Sequence, residues 1–198
     1  IIDTGGALED DSNNEYVKFV KTSSAVNELS ITNQATGSGP SLTATGGDSN
    51  IDLNITAKGT GRVTLGAGKI QQLAEKVTIA ATGTTGTVNY DLITQAVLYH
   101  TSAAAGNFTV NVRGDGSTTL NSIMDTGESV TFAFLVTNTG TPYYQSAFTV
   151  DGSSVTPEYQ GGSAPTSGNA NSVDIYTYTV VKTGDAAFTA FASQTQFA

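Results

Sequence analysis

Only one side chain of this sequence, His100 in VLYHTS, has an ordinary pKa that lets it act as a base near neutral pH, and Thr101 and Ser102 beside it are nominal nucleophiles. Adjacent positions on a strand point to opposite faces, and the chain holds neither a G-x-S-x-G elbow nor a glycine-rich phosphate loop followed by Lys-Ser/Thr. His100 therefore reads as a surface or hydrogen-bonded histidine, and no catalytic residue is assigned. Glycosidase chemistry needs two carboxyls facing each other across a cleft, for which Asp91, Asp125, Glu128, Asp151, Glu158 and Asp174 are the candidates. Most of them sit in expected turns, and Asp115, Asp125 and Asp151 are more simply turn formers. Without a D-x-D-x-D-G pattern no calcium loop, and no metal ligand of any kind, is assigned. Arg113-Gly114-Asp115 spells an integrin-type adhesion tripeptide, but it stands where a strand ends and an Asp-Gly turn begins.

Aromatic residues are the better binding candidates, because an exposed tyrosine face stacks on sugar rings or anchors a protein partner. Tyr176 and Tyr178 alternate within a strong strand pattern and are expected in the core. Tyr143, Tyr144 and Tyr159 flank loops and are the candidate ligand-binding tyrosines. The longest expected loop, QGGSAPTSGNANS over 160–172, adds Asn169 and Asn171 as polar candidates.

Composition removes whole classes of chemistry. The chain has 198 residues and no cysteine, which excludes disulfides, thiolate catalysis, iron–sulfur clusters and cysteine-bound zinc; no cofactor is expected. A formal charge of −9 and a pI near 4.3 disfavour nucleic acid as a partner, since phosphate backbones are held by clustered Lys and Arg. The charge divides unevenly: residues 1–76 carry 9 acidic and 6 basic groups, whereas 77–198 carry 8 acidic and 2 basic. The distal half therefore favours neutral glycans, cations or basic protein patches. No run approaches the roughly 18 apolar residues of a membrane helix, so membrane insertion is not expected. Because the sequence starts at Ile1 rather than Met, it reads as a processed or partial product.

The elements that position these residues are strands. Residues 1–14, IIDTGGALEDDSNN, suit a solvated lead-in or attachment segment. Over 15–69 the chain reads as very short strands, YVKFVK, NELSITN, NIDLNITAK and RVTL, punctuated by glycine. In NIDLNITA, Ile51, Leu53, Ile55 and Ala57 share one face, the period-two pattern of a half-buried strand. So narrow an apolar stripe buries too little surface to offset a backbone entropy cost of about 1–2 kcal/mol per residue, so three copies packed around a shared axis are expected, with a monomeric sheet as the alternative. The segment GKIQQLAEK, with Ile70, Leu73, Ala74 and Val77 at helical spacing, is expected to form a short helical linker over 70–76. From 77 to 198 longer strands follow: KVTIAA, GTVNYDL, AVLYHTS, NFTVNVR, SVTFAFLVTN, AFTVDG, SVTPEY, VDIYTYTVVK and AAFTAFASQ. Nine strands joined by Asp-Gly and Asn-containing turns fit a β-sandwich, jelly-roll-like head. The fold class is all-β.

The recurring elements EYVKF, VNELSITN, ATGSGP, TGGDSNIDL and ITAKGTGRV resemble a modular stretch of virion structural proteins of marine tailed phages, including cyanophages. The second half, with GESVTFAFLVTN, TPYYQSAFTVDG, YQGGSAPTSGNANSVDIYTYTVVKTG and a closing SQTQF, resembles the β domain that accompanies such stretches. The resemblance implies a virion structural appendage, with no enzymatic role carried over; members of this group are structural, fibre-like or host-recognition components, and a fibre-like appendage at the particle surface is the reading expected here. Together with the threefold packing expected from the narrow apolar stripe, it leads to the expectation of a homotrimer that contacts other virion proteins through its N-terminal region and a host-surface glycan or protein through its distal domain. Two alternatives stand beside it: a capsid decoration or cement protein, and a glycan-degrading tailspike.

Overall fold

Alternation of β-branched or aromatic residues with Thr, Asn and Ser runs through this chain, and in the computed structural model the regular structure is almost all strand, with one four-residue α-helix among the described residues. The structure is described for residues 6–59, 61–66 and 73–197. It divides into two compact units, Ile1–Thr64 and Leu65–Ala198.

The first unit holds two hairpins. Strands β1 (Ala7–Glu9) and β2 (Glu15–Lys18) pair antiparallel, so part of the expected lead-in is built into a sheet. Their loop is organised by Asp10, whose carboxylate accepts from the backbone N–H groups of Ser12 and Asn14 and from the Asn14 side chain at 2.7–2.9 Å. The bonds from Asn14 hold its pKa below the ordinary carboxylate value. Strands β3 (Asn27–Thr32) and β4 (Ser41–Gly46) form the second hairpin, and its register puts Leu29 opposite Ala44 and Ile31 opposite Leu42. That makes an apolar face that the described residues leave open: Ile31 is 79% exposed and Leu29 54%. No described residue of 6–64 is buried.

NIDLNITAK and RVTL, expected as strands, carry no strand assignment. A period-two sequence supplies one apolar face, but it becomes a strand only where another backbone takes up its N–H and C=O groups. The helical linker expected over 70–76 lies partly outside the described residues, and 73–76 are not helical.

The second unit has its own core. Strands β5 (Val77–Ala80), β6 (Gly86–Asp91), β7 (Val97–Ala103), β8 (Phe108–Arg113), β9 (Ser129–Thr137) and β10 (Gln145–Val150) alternate between two sheets. After them come β11 (Ser153–Ser154), β12 (Glu158–Tyr159), β13 (Val173–Gly184) and β14 (Ala187–Phe197). One sheet has the order β11-β10-β8-β6, the other β12-β14-β13-β9-β7-β5. Because each successive strand from β5 to β10 crosses to the other sheet, neighbours within a sheet run parallel: β5 with β7, β7 with β9, β6 with β8, and β8 with β10. These connections are arches rather than hairpins, and the pairing differs from the antiparallel ladders of a jelly roll. In-register parallel strands also stack like residues. Asn111 donates its amide to Asn89 at 2.8 Å and accepts from the Thr149 hydroxyl at 2.7 Å.

SVTPEY, read as one strand, is instead split into β11 and β12, which belong to different sheets. The break falls at Thr156 and the buried Pro157, and proline has no N–H to give a ladder. Within this unit true hairpins occur at two places among the described residues. Asp151 (φ 51°) and Gly152 (φ 81°) join β10 to β11 with the positive dihedrals of a type I′ turn, and β13 pairs antiparallel with β14.

Both sheets contribute to one core. Tyr90, Phe108, Val110, Val112, Phe148 and Val150 come from the four-stranded sheet; Phe132, Phe134, Val136, Tyr176, Tyr178 and Val180 come from the six-stranded one. Ring pairs cross between them: Tyr90–Phe132 at 4.2 Å, Phe108–Phe134 at 5.6 Å and Phe148–Tyr178 at 4.8 Å between centroids. Tyr176 and Tyr178 are core residues, as their alternation with Thr predicts.

The short helix α1 (Leu120–Ile123) is held at both ends by side chains. Asp151 accepts from the Leu120 and Asn121 N–H groups at 2.6 and 2.9 Å, and Thr119 Oγ1 accepts from Ser122 N–H at 3.1 Å. At the other end the buried Lys182 ammonium donates to the carbonyls of Asn121 and Met124 at 2.6 and 2.9 Å. Lys182→Met keeps the stem packing and removes these donors. It is expected to lower unfolding free energy by about 1–3 kcal/mol, the cost of orphaned buried acceptors, read as a lower midpoint in urea at unchanged slope.

Candidate functional site

The loops that carry the sequence-derived candidates converge at one end of the second unit. The segment 138–144 between β9 and β10 and the segment 160–172 before β13 are joined by backbone bonds: Asn171 N–H to Thr139 C=O, Ser172 N–H to Asn138 C=O, and Asn138 N–H to Ser172 C=O. Asn138 clamps its own loop, accepting from Tyr143 N–H at 3.0 Å and donating to Tyr143 C=O at 3.1 Å.

A buried carboxylate organises this end. Asp174 is 0% exposed, and its Oδ2 accepts from Asn169 N–H at 3.0 Å, Asn138 Nδ2 at 3.1 Å and Gln194 Nε2 at 3.2 Å. Its other oxygen has no protein partner. Burial pushes the Asp174 pKa above the ordinary carboxylate value, and the three donors pull against that. Gln194 extends the hub by donating to Tyr176 Oη and to Ser167 C=O. A Cβ on Gly168 would collide with Tyr143 C=O and would lie 2.7 Å from Asn138 Nδ2 and 2.9 Å from Asp174 Oδ2, so it has no room. Only glycine lets the long loop lie down on the hub.

The five sequence-derived residues take different parts in this arrangement. Tyr143 is half-buried and packs against the core, while Tyr144 is fixed through its backbone, accepting from Phe108 N–H and donating to Asn107 Oδ1. Asn169 anchors the loop through its N–H to Asp174 and its side-chain amide to Phe197 C=O. Asn171 holds a positive φ of 55°, which asparagine tolerates. Tyr159 turns its hydroxyl inward to donate to Gln145 Oε1 at 3.1 Å, and its flank lines a shallow depression of about 340 Å³. Glu158, Thr177, Thr179, Phe191 and Ser193 line the same depression. An exposed phenylalanine ring ringed by hydroxyls and one carboxylate is the combination that receives a sugar face and its hydroxyl groups.

Phe191 is absent from the sequence-derived candidates, and Asp174 appears among them only as one carboxyl of a possible glycosidase pair, not as the hub it forms. The signal for Asp174 is present in VDIYTYTVVK, where Asp174 shares the inward parity of Tyr176, Tyr178 and Val180; an acid in that register has to be hydrogen-bonded.

The remaining chemistry-bearing residues are engaged in structural contacts. His100 lies within the core with Nδ1 2.8 Å from Thr82 C=O and its ring 5.5 Å from Phe134. Thr101 and Ser102 donate to the carbonyls of Ala80 and Ala81. In the adhesion-like tripeptide, Arg113 is bound to Asp91 at 2.6 Å and Asp115 accepts from Ser117 and Thr118 N–H at 2.7 Å. Those bonds raise the Arg113 pKa and lower that of Asp115. A Cβ on Gly114 would come within 2.7 Å of Thr118 C=O, so this glycine has a packing reason to be there. Among the described residues no group of three or more His, Cys, Asp or Glu is placed to hold a metal ion, and no helix is long and apolar enough to cross a membrane.

The arrangement therefore offers a rigid, loop-capped end with an adjoining aromatic depression. Comparison with protein-family models, with curated proteins and with solved structures finds no match for this chain.

Proposed function

We propose that the chain is a fibre- or spike-like structural appendage of a phage virion that attaches to a host surface multivalently as a homotrimer. On this reading the first unit is an interwoven shaft or platform, and the two sheets of the second form a β-sandwich head. The observation that carries the oligomer is the first unit's lack of any buried residue among those described. Tyr16, Val20, Ile31 and Ile55 are each more than 60% exposed, and burying a side chain of this kind stabilises by roughly 1.5–3 kcal/mol. Sister copies supply the missing cover and the missing strand partners for 50–66. The virion assignment rests on the resemblance of the sequence motifs.

Attachment needs no covalent step. Three depressions lined by Phe191 and Tyr159, held on one rigid particle, raise a weak glycan affinity by orders of magnitude through effective concentration. Light scattering on the full chain is expected to give three times the 20.3 kDa chain mass. On an array of bacterial surface glycans the trimer is expected to bind, with Phe191→Ala losing at least tenfold in signal at unchanged mass. A monomer on dilution, or a trimer that retains no glycan, overturns the corresponding half of this reading.

A further inference from the structure

The two outer faces of the second unit are chemically opposite. The outer side of the four-stranded sheet is polar: it holds the Asn89–Asn111–Thr149 row, whose central Asn111 is covered by its neighbours, and the Asp91–Arg113 ion pair. The outer face of the six-stranded sheet carries its charge only at the β12 edge, in Glu158: none of the outward-facing residues of β5, β7, β9, β13 and β14 is Asp, Glu, Lys or Arg. This is unexpected over five strands in a segment with 8 acidic and 2 basic residues. Solvent-facing sheets ordinarily carry interspersed charge, which keeps them soluble and apart.

The face is also apolar in register. Strand pairing aligns Ile79, Tyr99, Leu135 and Ile175 in one row across β5, β7, β9 and β13, and Val77, Val97 and Ala133 in the next. Ile79 is 59% exposed, and Tyr99, Leu135 and Ile175 are only partly covered by their own strand neighbours. At about 4.8 Å between strands the row spans about 15 Å. The aromatic depression is lined from β12, β14 and β13 of the same sheet, and its nearest member to this patch is Thr177, paired with Ala133.

We infer that this patch, centred on Tyr99, Leu135 and Ile175, is where the heads of sister copies meet. The inference rests on the oligomeric reading above and names the second contact that the oligomer uses. The occupant follows from charge. Two copies of a strongly acidic unit repel each other wherever their acids face, and a neutral apolar face lets them approach without that cost, whereas a basic partner would be drawn to the acidic surfaces instead. Copies already joined through the first unit meet this face at high effective concentration.

The test is site-specific photo-crosslinking in the full chain. Tyr99→p-benzoylphenylalanine keeps an aromatic ring on the patch, and Asn89→p-benzoylphenylalanine places the same probe on the opposite sheet. Illumination is expected to yield covalent species of two or three chain masses from position 99, at least tenfold more than from position 89. Adding Leu135→Glu, on an outward position that leaves the core intact, is expected to remove that yield with an unchanged circular dichroism spectrum. An oligomer by light scattering without inter-chain product at position 99 overturns the inference and leaves the proposed function standing; this includes the case in which the patch is covered by the same chain or by a ligand of another kind. A monomer by light scattering overturns both.

Discussion

Asp174→Ala is expected to lower the unfolding free energy of the second unit by about 2–3 kcal/mol and to loosen the 160–172 loop. The carboxylate is buried, and removing it leaves Asn169 N–H with no acceptor while Asn138 and Gln194 each lose one of their bonds. A buried donor left unpaired costs about 1–3 kcal/mol, and the small cavity adds to it. Faster amide exchange at Asn169 and its neighbours would locate the effect, and equal exchange in the two proteins would refute it.

Asp174→Asn separates the acceptor from the charge. The amide oxygen takes over the hub, and the ionised form, which burial disfavours, no longer exists. Because the folded pKa lies above the unfolded value, the folded state holds the proton more tightly. The associated stabilisation is fully present below the ordinary carboxylate range and is lost as pH rises through the raised value. The stability of the wild type minus that of Asp174→Asn is therefore expected to fall as pH rises from about 3 toward neutrality. The difference cancels contributions from groups such as Asp10 and Asp115, whose pKa values are lowered and whose slopes have the opposite sign. A flat difference across that range would remove the hub's electrostatic account.

Phe134→Ala is expected to be the most damaging single change, at about 3–5 kcal/mol. Phe134 is fully buried at the centre of β9, and its ring lies 5.6 Å from Phe108, 5.5 Å from His100 and 6.5 Å from Tyr176. It thus touches both sheets and the strand that carries Asp174. Phe191→Ala, on the outer face, is expected to change stability by less than about 0.5 kcal/mol. Thermal melts of the two variants give the comparison, and similar shifts in both would mean that the core does not sit where these ring contacts place it.

Patterning alone carried the fold class and nearly all strand positions of the second unit. VDIYTYTVVK became β13 and SVTFAFLVTN became β9 because period-two alternation is a local property, written residue by residue. It also carried the core assignment of Tyr176 and Tyr178. The same rule was insufficient for NIDLNITAK, where the pattern is as clean but no neighbouring backbone among the described residues completes the ladder. Strand formation is half local and half dependent on a partner.

Connectivity and chemistry were decided only in three dimensions. Nothing in an Asp-Gly or Asn-Thr-Gly turn states whether the next strand returns beside its predecessor or crosses to the opposite sheet, and here β5 to β10 cross each time. That choice stacks Asn89 on Asn111. The antiparallel pairing of β13 with β9 and β14, in turn, brings the side-chain amides of Asn138 and Gln194, far apart in sequence, within 3.2 Å of the Asp174 carboxylate. Residue types fixed which faces are apolar, through side-chain transfer from water. The pairing of distant strands fixed which of those faces is covered, because burial is a property of two surfaces and a linear sequence describes only one at a time.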